Sequence, residues 1–147
     1  MDNNIDILDR IIIGRVEPHI YAFTTNTVPN YLKVGDTYRP VSKRLKEWKE
    51  FFPELQKQYE NKAIIDEDTY FRDYSIHQYL ESDLEKRRLI PTDLPEGDYY
   101  SKEFFKDTET VDIDSAIEDI KNNYIENTGK YEYYSSNNRL PQVYHYK

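Results

Sequence analysis

The chain has no cysteine, so disulfides and thiolate metal sites are excluded, and a reducing compartment suits it. It also lacks any apolar run near the ~20 residues that a membrane helix needs. The longest aliphatic run is Ile11-Ile12-Ile13, which is too short for a signal-peptide core. Asp2 and Asp6 precede it where basic residues would be required. Internal repeats and a glycine-rich phosphate loop are missing as well. These absences describe a soluble, cytoplasmic chain without a membrane partner.

Basic residues are in deficit, with a formal net charge of -8 over 147 residues, and that length fits one domain with its own core. Acidity disfavours phosphate contacts, which need Lys and Arg. The charge is uneven, however. Lys33, Arg39, Lys43, Arg44, Lys46 and Lys49 lie together, opposed only by Asp36 and Glu47, and most of the acid follows Glu50. One basic face on an acidic body remains compatible with a DNA partner. Tyrosine is abundant, with 15 copies, and suits half-buried strands and wet interfaces.

The hydrophobic period changes along the chain. Residues 2–13 carry Ile5, Leu8 and Ile12 at helical spacing, ended by Gly14. Residues 18–24 and 31–36 read as antiparallel strands around a loop with Pro29, and Gly35 marks a close backbone approach. Pro40 opens a helix over 40–50 with the stripe Val41, Leu45 and Trp48. A third strand is expected near 61–66 and a helix over 69–84 through Phe71, Ile76, Leu80 and Leu84. Residues 89–97 carry Pro91, Pro95 and Gly97 and form a loop; Phe104 and Phe105 lie beside the core; a last helix covers 111–125. The expected fold is α+β: a three-stranded antiparallel sheet flanked by helices. Residues 1–126 make the domain, and the polar, aperiodic stretch 127–147 is a tail or a linker to a downstream domain.

The most informative stretch is PHIYAFTTNTVPNYLKVGDTYRPVSKRLKEW, residues 18–48. His19-Ile20-Tyr21 on the first strand, Lys33-Val34-Gly35 on the second and Arg44 on the following helix form an ordered set. Asp73, His77 and Leu80 follow in FRDYSIHQYL, and SKEFF supplies an aromatic strand end. Over roughly residues 18–125 this set resembles the GIY-YIG nuclease superfamily, closest to the branch of phage proteins and nuclease domains of restriction-type helicases. His19 stands where that family has Gly, Lys33 where most members have Tyr, Trp48 where many have His, and Asp73 where most have Glu.

The resemblance implies a metal-dependent endonuclease that hydrolyses DNA phosphodiester bonds, as part of a restriction or helicase-type enzyme with a downstream helicase or DNA-binding domain. Its catalytic residues would be Tyr21, Lys33, Arg44 and His77, with Tyr38, Arg39 and Lys43 binding substrate. Mg²⁺ or Mn²⁺ would sit on Asp73, with Glu81 as the rival ligand on nearly the same helix side.

The chemistry is coherent. Hydrolysis needs an activated water, charge neutralisation at the phosphate and stabilisation of the leaving oxygen. Tyr21 is suited to take the water's proton beside the Lys33 ammonium, which favours a phenolate. Arg44 offers a planar fork for phosphate oxygens. Taken singly, each of these residues also fits a structural place: a packed strand tyrosine, a solvated lysine, a helix-surface arginine or acid, and a core histidine. The alternative function is a non-catalytic DNA-binding or protein-interaction module of a larger protein.

Overall fold

The structure, a computed structural model, describes residues 18–66, 68–86, 88, 103–106 and 110–135. The helix expected over 2–13 and the loop over 89–97 lie outside these residues. Strand β1 (His19–Thr24) pairs antiparallel with both β2 (Tyr31–Thr37) and β3 (Gln56–Lys62). Strand β5 (Phe104–Lys106) adds to the far side of β2, so the order is β3-β1-β2-β5. A two-stranded ribbon joins β4 (Thr69–Tyr70) to β6 (Tyr134–Ser135). The helices are α1 (Val41–Trp48), α2 (Asp73–Gln78), continued by a π-helical turn Tyr79–Asp83, and α3 (Thr110–Ile125). The architecture is thus α+β around an antiparallel sheet, with four strands in place of the three expected.

β1 is central and buried on both faces, which its aromatic and aliphatic side chains permit. One face, with Ile20, Ala22, Leu32, Val34 and Phe105, packs on Phe71, Ile76 and Leu80 and on α3 through Ile113, Ala116, Ile117 and Ile120. The other face, with Tyr21, Phe23 and Phe104, packs on Val41 and Leu45 of α1 and on Phe52. The two adjacent phenylalanines of β5 divide between the faces, as alternating strand side chains must. Among the described residues no helix is long and apolar enough to cross a membrane.

Three boundaries differ from the sequence expectation. The strand placed at 61–66 lies earlier, at Gln56–Lys62, where nearly every side chain is exposed. It is a polar edge strand held by backbone bonds to β1, so no hydrophobic period betrays it, and its lysines suit an edge. The helix expected from 69 begins only at Asp73. Thr69 and Tyr70 belong to a strand, and the Asp36 carboxylate receives the Asp73 N–H at 2.9 Å, starting the helix. Finally, the packed unit runs beyond residue 126. Tyr131 is buried against the core and donates to Asp119 at 2.6 Å, Tyr133 donates to the Ile120 carbonyl at 2.6 Å, and β6 follows. Residues 136–147 of the expected tail lie outside the described set.

Candidate active site

The β1–β2 register sets Tyr21 opposite Gly35 and Phe23 opposite Lys33, so all four share one sheet face. Gly35 is needed for space: a Cβ there would lie 2.7 Å from Tyr21 Oη and 2.9 Å from Lys33 Nζ. The two functional groups therefore meet over a missing side chain. Trp48, in the last turn of α1, donates Nε1–H to Tyr21 Oη at 2.8 Å. Its ring centre lies 4.4 Å from Lys33 Nζ and 5.0 Å from the Arg44 guanidinium carbon. Tyr21 and Phe23 place further rings 5.2 and 5.9 Å from the ammonium. Such ring faces favour a cation electrostatically. Helical spacing puts Arg44 and Trp48 on one side of α1, and the indole links Tyr21, Lys33 and Arg44.

A second group of residues lies on the Glu103 side of Lys33. Pairing of β5 with β2 reaches Lys33, and the Val34 N–H then donates to the Glu103 carbonyl at 2.9 Å. Glu103 Oε1 lies 2.5 Å from Lys33 Nζ. Asp73 and His77, one helical turn apart on α2, bring ligand-type atoms within 4.8 Å of each other and of Glu103. Asp73 is almost fully buried, and its Oδ1 has no hydrogen-bond partner. Asp36 places Asp73: it takes that residue's N–H and is itself held by Arg72 Nε at 2.9 Å.

The charges in this group are uneven. Burial pushes Asp73 up, the nearby Asp36 and Glu103 add to this, and the carboxyl lies well above the usual aspartate range. Burial also acts upward on Glu103, but the Lys33 ammonium outweighs it and holds Glu103 below its ordinary value. For Lys33, burial acts downward, yet the neighbouring Tyr21 and Glu103 prevail and hold it above its ordinary value. Burial lowers His77, so its 3.9 Å approach to Asp73 joins a neutral ring to a carboxyl and is not an ion pair. His77 Nε2 lies 2.8 Å from the Val34 carbonyl. A carbonyl can only accept, so Nε2 carries the hydrogen and cannot ligate a metal while that bond stands. This fastens α2 to β2 and leaves Asp73 and Glu103 as the oxygen donors.

Of the other residues singled out from the sequence, Glu81 stands apart from this group. It is paired with Arg88 through two 2.9 Å bonds at the rim of an open groove of about 540 Å³ that His77 and Glu103 also line. Tyr38, expected on phosphate, is instead buried, edge-on to Tyr70 and 5.7 Å from the Arg72 guanidinium. Arg39 is also buried, gripped by both Glu47 oxygens at 2.5 and 2.7 Å. Glu47 reaches Arg44 too, at 2.9 Å, and the two guanidiniums, Arg39 foremost, hold its carboxyl below the usual range. The basic face is therefore narrower than the composition implies: Lys43, Lys46 and Lys49 are its exposed members.

Sequence reasoning did not single out Glu103 or Asp36. Glu103 is 70 positions from Lys33, beside an aromatic pair that reads only as core. Asp36 was legible as an acid within a basic stretch, but its partner Arg72 lies 36 positions away. No family model, curated protein or solved structure matches the chain.

Proposed function

We propose that the chain is a metal-dependent nuclease of the GIY-YIG type that hydrolyses phosphodiester bonds in DNA. The observation that carries this reading is the convergence on Lys33 Nζ of Tyr21 Oη across the notch at Gly35, of Trp48 with Arg44 beside it, and of half-buried Glu103, whose carboxyl lies with that of buried Asp73. A packed structural core gains nothing from a fully buried lysine among four aromatic and acidic neighbours, since desolvating a charge is unfavourable unless it is paired.

The residues divide the work. Tyr21 receives the proton of the attacking water, beside the Lys33 ammonium. Tyr21 is 1% exposed and its hydroxyl accepts from the indole of Trp48, so access to it requires Trp48 to give up that bond. Arg44, partly exposed on the rim, turns its planar fork from Glu47 to the phosphate oxygens. Asp73 and Glu103 fit a hard divalent cation: both offer oxygen, and Asp73 keeps one unpartnered. Mg²⁺ or Mn²⁺ bound by them supplies Lewis-acid neutralisation of charge on the phosphate. His77 acts through position, fixing α2 against Val34, rather than in proton transfer. A chain with a net charge of -8 binds DNA weakly by itself. Delivery by a DNA-gripping helicase or restriction partner would raise the local concentration.

Plasmid nicking with Mg²⁺ or Mn²⁺, against a chelator control, tests the reading with the full chain alone and joined to such a domain. Metal-dependent nicking that falls at least about 10²-fold in Tyr21→Phe and in Arg44→Ala supports it. Absence of metal-dependent nicking in both formats, or cleavage within about threefold in both variants, ends it. The occupied state of Arg39 and Arg44, both on Glu47, favours a second reading, a non-catalytic DNA-binding or protein-interaction module. DNA binding without any cleavage would select that one.

A further inference from the structure

We propose that Lys33 and a divalent cation compete for the Asp73–Glu103 carboxylates, so that metal binding drives the Lys33 ammonium off Glu103 and toward Tyr21. This rests on the metal-dependent reading above and adds a coupling between the metal ligands and the proton acceptor.

Three observations carry it. The Lys33 ammonium already sits where a metal would, 2.5 Å from Glu103 Oε1 and with Glu103 in ligand range of Asp73. Asp73, 2% exposed, presents Oδ1 without a hydrogen-bond partner, an acceptor that a cation would satisfy. A displaced ammonium also keeps its other neighbours. While on Glu103 it already lies 4.4 Å from the Trp48 ring centre and 5.2 Å from that of Tyr21, and its nitrogen and Tyr21 Oη are both within 3 Å of the point above Gly35. Aromatic faces hold a desolvated cation well, so leaving Glu103 does not strand the charge. Two cations on one carboxylate repel each other strongly at this depth, which makes the occupancies exclusive. Glu103 is on this view a positioning residue: it holds Lys33 away from full engagement with Tyr21 until metal arrives.

Mn²⁺ binding to the full chain, followed by electron paramagnetic resonance of the free ion, tests the competition without any cleavage. Lys33→Met keeps the length of the stem and removes the charge, and it should bind Mn²⁺ roughly tenfold tighter. Glu103→Gln should bind at least roughly tenfold weaker. In the unmodified chain, the Lys33 ε-carbon resonance, assigned through bonds from its backbone amide, should shift as Mg²⁺ saturates the site; this stands even where Lys33→Met does not fold. Equal or weaker Mn²⁺ binding by folded Lys33→Met, or a Lys33 resonance that does not move at saturating Mg²⁺, overturns the competition while leaving metal-dependent nicking intact. No Mn²⁺ binding by any form overturns both the competition and the metal-dependent reading.

Discussion

The two faces of the sheet are built from adjacent residues of the same strands yet differ in kind. The face toward α2 and α3 is aliphatic: Ile20, Ala22, Leu32 and Val34 meet Ile76, Leu80, Ile113 and Ile120. The face toward α1 is aromatic, with Tyr21, Phe23, Trp48, Phe52 and Phe104, and three of these rings stand around the Lys33 ammonium. Aliphatic packing rewards shape alone. Rings also offer π faces to a cation, and Tyr and Trp carry a polar tip. The same pleat therefore separates a face that holds the fold from one that can hold a charged group out of water. Glu103 reaches the charged group on the aromatic face, with its oxygen 2.5 Å from Lys33 Nζ.

Substitutions that split the faces make this comparison testable. The largest separation is expected between Tyr21→Phe or Arg44→Ala and Ile76→Ala. The first two should lower nicking about 10²-fold or more with little change in thermal unfolding. Ile76→Ala should lower unfolding free energy by about 2–5 kcal/mol and leave nicking per folded molecule unchanged. Denaturant titrations beside plasmid assays read both, and loss of nicking by folded Ile76→Ala would erase the distinction between the faces.

Gly35→Ala is expected to combine both effects on a smaller scale. Its added methyl meets Tyr21 Oη and Lys33 Nζ at under 3 Å, so both must move. Overpacking of this kind costs about 1–3 kcal/mol, and nicking should fall with it; wild-type stability and rate would show that the notch is not needed. Trp48→Phe removes the donor to the buried Tyr21 hydroxyl while keeping a ring. A loss of about 1 kcal/mol in unfolding free energy is the expected scale.

The finest effect concerns acid. Burial, with Asp36 and Glu103, holds Asp73 above the usual aspartate range, so folding favours its protonated form. That contribution is full below the ordinary aspartate pKa of ~4 and is lost as pH rises through the raised value. Asp73→Asn removes the titration. Its unfolding midpoint should gain on the wild type as pH is raised from about 4 to about 8. A difference that stays constant with pH would show that Asp73 ionises as easily folded as unfolded.

Much of this site was legible without coordinates. Two short strands rich in aromatic and β-branched residues, separated by a loop, place Tyr21 beside the Lys33–Gly35 segment, because antiparallel partners share a face. The stripe Val41, Leu45 and Trp48 likewise foretold that α1 buries one side and shows Lys43 on another. Periodicity works for these elements because it records which side chains leave water.

It is silent wherever the backbone or a distant charge decides. β3 is held by main-chain bonds while its side chains face solvent, so its polar sequence carries no period. Tyr131 and Tyr133 pack on α3 through hydroxyls, and a tyrosine-rich polar stretch reads as a tail until those acceptors are in place. The amino-acid order by itself thus determined the antiparallel pairing of β1 with β2, the helical stripes and the meeting of Tyr21 with Lys33, since these follow from local geometry and burial. Tertiary structure alone decided that Glu47 engages Arg39, that His77 binds a main-chain carbonyl, and that Glu103 rather than Glu81 joins Asp73 beside Lys33. Electrostatic partners are chosen by distance in space, and the 70 positions between Lys33 and Glu103 close only when β5 docks on β2.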